Sequence, residues 1–358
     1  MLVWLTAYLE QYFSFFNVFE YVTFRTIVSS ITALLLTLFI GPLIIRQFEV
    51  SNIGETIRED GPATHQQKAG TPTMGGLMIV LSVVIVTLLW GDLANRHLWI
   101  IVFALFGFAL IGLIDDLKKM RQQRGLSVKL KLALQSVLGL AIACTMFYTA
   151  TVPAETELII PIFKEVVIPL GLVYIFLTYL MIVGMSNSVN LADGLDGLAI
   201  LPSVMIAAAL GLIAYLVGHV EFSDYLKIPY VPHMGEVAIF CGALVGAGLG
   251  FLWFNAYPAQ VFMGDIGALA IGAALGTVGV LVRHEVVLLI MSGVFLLESA
   301  SVVLQVASFK MTGRRVFQMA PLHHHFELKG WPEPRIIVRF WIISFMLVLV
   351  GLSMLKLR

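Results

Sequence analysis

Five aspartates in this chain are placed where they could do chemistry. They lie in short polar segments between apolar runs of membrane length, and they are Asp115, Asp116, Asp193, Asp196 and Asp265. A carboxylate near lipid is costly, so a membrane protein keeps one there only where it has partners or a function. Carboxylates that converge on one membrane face are suitable ligands for a metal ion beside a phosphate group. The pattern therefore predicts metal-assisted chemistry on a phosphate.

The adjacent pair Asp115-Asp116 ends the third apolar run and is followed by Lys118 and Lys119. Neighbouring carboxylates repel each other unless a cation or a proton lies between them. Mg²⁺ takes few protein carboxylates and completes its shell with water and substrate phosphates. The alternative is an ordinary helix end whose acidic residues pair with the lysines.

The sequence Gly-Asp-Ile-Gly at 264–267 opens the eighth apolar run, which places Asp265 near the start of a helix. A helix N-terminus attracts anions, so this position suits the aspartate itself or a nearby phosphate. An ordinary capping aspartate is the simpler interpretation, and the two are compatible.

The segment 187–197, NSVNLADGLDG, is dense in Asn, Asp and Gly, which break helices and offer amide and carboxylate oxygens. Gly194 and Gly197 would let the backbone approach a ligand closely. An EF-hand loop is excluded because its spacing and its terminal Glu are missing. A tight turn between helices is the alternative to a binding loop.

Three consecutive histidines, His323, His324 and His325, lie in a long polar connection. The spacing does not match a zinc site, whereas imidazoles that donate to a pyrophosphate fit the surrounding chemistry better. An exposed polar loop without function is the alternative. Two further polar residues, Glu298 and Gln305, stand in the ninth apolar run, where they either satisfy neighbouring helices or line a groove.

The composition is that of a membrane protein. Of the 358 residues, 59% are hydrophobic and only 12% are charged, whereas soluble domains carry about 25% charged residues. The formal net charge is zero, so a global basic field for nucleic acid is absent, and we expect no nucleic-acid partner. Cys144 and Cys241 each fall in an apolar run and are expected to be small core residues.

The apolar runs predict an all-α, polytopic protein with about ten transmembrane helices. A span needs about 20 mostly apolar residues, and the runs are too long for strands and show no period-2 alternation, which favours helices over a β-barrel. An aromatic N-terminal segment predicts an interfacial helix before the first span. The predicted spans are 24–45, 74–90, 98–114, 130–149, 167–185, 198–217, 237–254, 266–282, 286–307 and 336–355.

Most of the 22 Lys and Arg residues fall in connections on one side of these spans, which predicts that this side is cytoplasmic. Both termini are then periplasmic. The five aspartates, Lys68 and the histidine run all fall on the cytoplasmic face, where we expect the active site. No separate soluble domain is evident, so residues 1–358 are expected to form one membrane-embedded domain.

Several segments together resemble the phospho-N-acetylmuramoyl-pentapeptide transferases, the MraY family of the polyprenyl-phosphate N-acetylhexosamine-1-phosphate transferase superfamily. The similarity covers most of the chain in order. It departs from the family at Ala268, where a serine is usual, so a hydroxyl group at this position is not expected to be essential. The segments are KAGTPTMGG from 68, the IDD pair, NLADGLDGLA from 190, NAYPAQVFMGDIG from 255 and APLHHHFELKGWPEPRI from 320.

The resemblance implies a reaction in the bacterial cytoplasmic (inner) membrane. Undecaprenyl phosphate attacks UDP-N-acetylmuramoyl-pentapeptide, giving undecaprenyl-pyrophosphoryl-N-acetylmuramoyl-pentapeptide (lipid I) and UMP, with Mg²⁺ as cofactor. This is the first membrane step of peptidoglycan synthesis. The resemblance also implies a homodimer in membrane lipid.

The resemblance further implies roles for matching residues. Asp265 is expected to bind the metal, and Asp115, Asp116 and His324 complete the catalytic set, with Asp115 and Asp116 handling the lipid phosphate. The expected substrate-binding residues are Lys68, Thr73, Asn190, Asp193, Asp196, Asn255, Phe262, His323 and His325.

Two other functions fit parts of the pattern. A sister enzyme would transfer N-acetylglucosamine-1-phosphate to polyprenyl phosphate, but the HHHFELKGWPEP segment favours the muramoyl branch. A lipid transporter would bind near the bilayer midplane and often shows internal repeats. Here the carboxylates gather at one face and no repeat is evident.

Overall fold

Helices dominate the computed structural model, which describes residues 1–50, 70–122, 124–161 and 163–356. Among these residues, three short 3₁₀ helices connect the longer elements, at Ser14–Glu20, Pro153–Thr156 and Met234–Glu236. The α-helices are α1 (Leu2–Glu10), α2 (Val22–Val50), α3 (Gly76–Trp90), α4 (Arg96–Gln122), α5 (Val128–Tyr148), α6 (Val173–Ala192), α7 (Ile200–Val217), α8 (Val220–Leu226), α9 (Val237–Asn255), α10 (Gly264–Leu281), α11 (Glu285–Met291), α12 (Gly293–Thr312), α13 (Leu322–Leu328) and α14 (Glu333–Ser353).

The protein is an all-α multi-pass membrane protein, as the composition predicts. Nine helices of the described chain are long and apolar enough to cross a bilayer. The remaining predicted span is α3, an apolar helix of 15 residues, which is shorter than the roughly 20 residues that a span usually needs. One small departure is an antiparallel hairpin of β1 (Glu157–Ile160) and β2 (Phe163–Pro169), which includes the start of the predicted span 167–185.

Helix α10 forms the centre of the bundle. Every residue from Asp265 to Leu281 is buried, and the helix packs against α4 and α6 on two sides and against α3. Small residues allow the close approach: a Cβ on Gly76 in α3 would lie only 2.2 Å from Cα of Gly267. This packing fixes the start of α10, and with it Asp265, against these neighbouring helices.

Two predicted spans differ from the observed helices in ways that bear on the site. The span predicted at 98–114 continues to Gln122, so Asp115 and Asp116 lie inside α4 and not in a polar break. The helix tolerates them because Lys119, one turn later, pairs with both carboxylates.

The span predicted at 286–307 is two helices, α11 and α12, that are separated at Ser292. A Ser-Gly pair is a frequent place for a helix to kink, and the backbone of Ser292 leaves the helical region here. Helix α12 then ends at Gly313, whose φ of 69° is left-handed.

Candidate functional site

Three carboxylates meet between α4 and α10. Asp115 and Asp116 come from the last two turns of α4, and Asp265 is the second residue of α10. Each offers an oxygen within 4.8 Å of the others, and all three residues are buried. The sequence predicted that these residues share one face, and the structure brings them together.

Backbone amides fix two of these carboxylates. The N–H of Leu126 donates to Oδ1 of Asp115 at 2.6 Å, and the N–H of Ile266 donates to Oδ2 of Asp116 at 3.1 Å. The second bond requires Gly264, whose φ is 73° and whose Cβ, if present, would lie 2.8 Å from Oδ2 of Asp116. Main-chain hydrogen bonds therefore fix the positions of the Asp115 and Asp116 carboxylates.

Two lysines that the sequence did not single out as site residues enter this cluster. Nζ of Lys119 lies 2.8 Å from Asp115, 3.3 Å from Asp116 and 2.9 Å from Asp265. Nζ of Lys131, from α5, contacts Asp265 and lies 3.6 Å from Asp115. The spacing of three and four residues after the aspartates signals Lys119, whereas Lys131 is brought in only by the tertiary fold.

The chemistry of this cluster fits a divalent metal ion. Three carboxylates face two ammonium groups, so one negative charge stays uncompensated when all five groups are ionised. Carboxylate oxygens are the ligands that hard cations such as Mg²⁺ prefer. The Lys119 side chain is 43% exposed, so it can withdraw towards solvent and leave the carboxylates to a cation. Asp115, Asp116 and Asp265 are thus the residues that could hold a metal.

Asn190 connects the cluster to the Asn/Asp/Gly segment. It lies in the last turn of α6, so the helix extends further into the segment than the sequence predicted. In the amide orientation that satisfies both neighbours, its nitrogen donates to Oδ1 of Asp265 at 3.1 Å and its oxygen accepts from Lys131 at 3.3 Å. Asp193, half-buried, is the C-cap residue of the same helix.

Asp196 and Asn255 hold two loops together. Oδ2 of Asp196 accepts a hydrogen bond from the N–H of Ala259 at 3.0 Å. Oδ1 of Asn255 accepts from the N–H of Gly197 at 3.0 Å, and its Nδ2 donates to the carbonyl of Val261 at 2.9 Å. Both residues are buried. Their contacts favour a role in shaping the loops over direct exposure to a ligand.

A backbone bridge joins the segment before α3 to the loop before α10. The N–H of Phe262 donates to the carbonyl of Pro72, and the N–H of Gly75 donates to the carbonyl of Phe262, each at 2.8 Å. The bridge places Thr73 and Phe262 on adjoining backbone segments, and both residues are half-buried. Lys68 lies outside the described residues.

The histidine run forms the short helix α13 and not an exposed loop. His323 is fully buried, and its ring packs against Gly194, where an added Cβ would lie 2.2 Å from Nε2. His324 is paired with Glu327 through Nδ1 at 2.7 Å. The histidines are thus joined to the loop that carries Asp193 and Asp196.

His325 is held with a defined ring orientation. Nδ1 of His325 accepts a hydrogen bond from the backbone N–H of Gln318 at 3.2 Å, so in the neutral ring the proton is on Nε2. Burial and the nearby Lys329 both lower the pKa of His325. A neutral ring with its N–H on Nε2 is the resulting state at neutral pH.

The two polar residues of α12, which the sequence left without a role, satisfy neighbouring backbone. The Glu298 carboxylate accepts from the N–H groups of Leu322 and His323. The Gln305 side chain accepts from the N–H of Val316 and both accepts from and donates to the backbone of Phe317. Helix α12 therefore organises the connection that leads to the histidine helix.

Comparison with known families gives two matches. The family model described as Glycosyl transferase family 4 matches residues 98–283, just over half of the chain, and this range contains all five aspartates. The phospho-N-acetylmuramoyl-pentapeptide-transferase signature 1 matches residues 68–80, which lead into α3.

Proposed function

We propose that this chain, which belongs to glycosyl transferase family 4 and within it to the MraY family, transfers phospho-N-acetylmuramoyl-pentapeptide from its UDP donor to undecaprenyl phosphate. The products are lipid I and UMP. The family implies a nucleotide-sugar donor and a polyprenyl phosphate acceptor. The observation that carries the proposal is the buried cluster of three carboxylates and two lysines at one end of α4.

The reaction joins two phosphates without a covalent enzyme intermediate. An oxygen of the lipid phosphate attacks the sugar-linked phosphorus of the donor, the bond to the UMP oxygen breaks, and UMP leaves with that electron pair. Both reactants are anions, so the site must offset their repulsion. A magnesium ion held by carboxylates of the cluster would supply positive charge that offsets this repulsion.

The residues of the cluster divide this work. Asp265 is the first choice for metal ligand, with Asp115 at its side. Asp116 accepts the remaining proton of the lipid phosphate, because a phosphate monoester loses it only near pH 6. Lys119 and Lys131 release the carboxylates and contact phosphate oxygens instead. Both ammonium groups therefore keep an anionic partner during the reaction.

The histidine helix faces the donor side of this site in the proposal. His324 and His325 donate hydrogen bonds to the pyrophosphate, and the neutral, Nε2-protonated state of His325 suits that role. Because the His323 ring is fully buried between Gly194 and Glu298, we assign it to shaping the site.

The remaining site residues recognise the nucleotide in this proposal. Asn190 and Asp193 at the end of α6 face the uridine, while Asp196 and Asn255 hold the surrounding loops. Phe262 stacks on the uracil ring. Lys68 and Thr73 contribute from the segment before α3.

We also propose where the protein lies in the cell. The protein lies in the bacterial cytoplasmic (inner) membrane as one domain of residues 1–358, with both termini periplasmic and the site on the cytoplasmic face. It works as a homodimer in membrane lipid. The excess of Lys and Arg on the side that holds the cluster supports this orientation.

The test is UMP release by the purified protein in detergent with undecaprenyl phosphate. One arm uses UDP-N-acetylmuramoyl-pentapeptide, the second uses UDP-N-acetylglucosamine, and a third adds EDTA. We expect turnover with the muramoyl donor alone and its loss with EDTA. Turnover with UDP-N-acetylglucosamine would assign the sister reaction instead, and no turnover in folded protein with lipid would contradict transferase activity.

A further inference from the structure

Glu298 is a fully buried carboxylate in α12, a helix of membrane-spanning length. An ionised carboxylate in such a place is costly unless several donors satisfy it. Its two oxygens accept from two successive amides, at 2.6 Å from the N–H of Leu322 and 3.2 Å from the N–H of His323. Both amides belong to the first turn of α13.

The start of α13 depends on this distant carboxylate. The first N–H groups of a helix have no partner within the helix, and a polar residue just before it usually accepts from them. Here that position is Pro321, which has no side-chain oxygen, and no side-chain cap from it is present. Glu298, 24 residues earlier in the sequence than Leu322, supplies the missing acceptors.

The same carboxylate lies beside the His323 ring. Oε1 of Glu298 is 3.3 Å from Nδ1 of His323, and the opposite nitrogen of the ring packs on Gly194. The imidazole is thus confined between a membrane helix and the loop that follows α6. A change in the position of Glu298 would be transmitted through this ring to the loop of Asp193 and Asp196.

Helix α12 is itself held in register with α6. Ser299 follows Glu298 in α12, and its Oγ donates to Oγ of Ser188 in α6 at 2.9 Å. Helix α6 ends at the residues that contact Asp265 through Asn190. The distance between the histidine helix and the carboxylate cluster is therefore set by α12 and α6 together.

We infer that Glu298 is a positioning residue that holds His324 and His325 in register with the Asp265 cluster. The inference rests on the proposed function for its effect on turnover, while its structural part, the dependence of α13 on Glu298, stands by itself. At this position the sequence shows only a polar residue within an apolar run.

The test compares Glu298→Gln with Glu155→Gln. The variant Glu298→Gln keeps size and shape, but its amide NH₂ faces one of the two backbone donors. The control changes another buried glutamate whose carboxylate accepts a backbone N–H, that of Thr151 at 3.1 Å, at the opposite end of α4. Turnover is measured with each substrate varied in turn, and deuterium uptake is measured over residues 317–328.

We expect Glu298→Gln to lower kcat/KM for the nucleotide-sugar donor about 10- to 100-fold, as one unsatisfied buried donor implies. The KM for the lipid phosphate should stay within twofold, and uptake over 317–328 should rise. Glu155→Gln should change neither turnover nor that uptake by more than twofold. Wild-type turnover in Glu298→Gln, or an equal loss in both variants, would overturn the inference.

A second variant acts from the other side of the ring. Gly194→Ala places a Cβ against Nε2 of His323 and should give the same donor-specific loss and the same rise in uptake. If Glu298→Gln does not fold, this variant decides. If the wild-type protein releases no UMP, the proposed function fails, and unchanged deuterium uptake in these variants would separately contradict the role of Glu298.

Discussion

The two ends of α4 carry charge in opposite ways. At its first turn Arg96 pairs with Glu155 at 2.5 Å, and nearby Arg25 holds Glu236 through two hydrogen bonds of 2.9 and 2.5 Å. Each carboxylate there has its own guanidinium. At the last turns, Asp115 and its two partner aspartates share two lysines.

The difference separates ion pairs that stabilise the fold from a cluster of charges that can bind further ions. A one-to-one pair with bidentate geometry has little to gain from another ion. A cluster with more carboxylates than ammonium groups has an unmet demand for positive charge, and its lysines have alternative partners within reach. On the proposed function, the Asp115 end exchanges cations and phosphates, while the ion pairs at the Arg96 end stay fixed.

We expect the largest loss of activity from a substitution at the Asp115 end of α4. Asp265→Asn keeps the shape of the side chain but removes one charge and one metal-binding oxygen. We expect UMP release to fall about 10³-fold, since such a group stabilises charge in the transition state. The measurement is turnover at saturating Mg²⁺.

The matched control for this change is Asp224→Asn, an exposed aspartate paired with Lys227. Its turnover should match the wild type. Equal activity of Asp265→Asn and the wild type would mean that the cluster has no part in the reaction.

We expect the next largest effect, a loss of stability, from a substitution near the Arg96 end of α4. Arg25→Met leaves the Glu236 carboxylate, whose side chain is 13% exposed, without its cation. Removing one partner of a buried pair costs about 3 kcal/mol of stability. We expect a lower midpoint of thermal unfolding and, in protein that remains folded, turnover within twofold of the wild type. A large loss of turnover per folded molecule would remove the contrast between the two ends.

A smaller effect tests whether the lysines compete with a metal ion for the carboxylates. Lys131→Gln makes the cluster more negative, so we expect tighter binding of Mn²⁺ as a probe ion together with about tenfold slower turnover. Lys118→Gln, beside Lys119 but not in contact with the three carboxylates, should leave both quantities unchanged. Weaker Mn²⁺ binding in Lys131→Gln would show that the lysine supports the metal and does not compete with it.

The smallest effect is a pH dependence at the Arg96 end. Burial alone would raise the pKa of Glu155, but the His97 ring and the hydrogen bonds from Thr151 and Arg96 lower it to about 2. Because the folded pKa is below the unfolded value of about 4.5, the stabilisation is complete above pH 4.5 and is lost as the pH falls towards 2. The melting temperature of the wild type should approach that of Glu155→Gln over this range. A constant difference would contradict the assigned pKa.

The sequence predicted the fold class, because hydropathy decides it. It grouped five aspartates on one face, of which the structure brings Asp115, Asp116 and Asp265 into one cluster. It placed Asp265 at a helix start correctly. It missed Lys131, because residues on different helices meet only through packing. It could not assign Glu298, because a lone polar residue in an apolar run does not reveal which backbone it satisfies. The end of α4 was missed because side-chain pairing inside a helix offsets the cost of two aspartates.

The central position of α10 has a consequence for how the protein is made. This helix contributes Asp265 and is surrounded by α3, α4 and α6, all of which leave the ribosome before it. Its glycines and alanines match these neighbours, so it can be enclosed by partners that are already in the membrane as it inserts. The last acidic group of the cluster thus arrives late in synthesis. A chain that stops before residue 264 lacks Asp265, so the three-carboxylate cluster is complete only after this helix has been made.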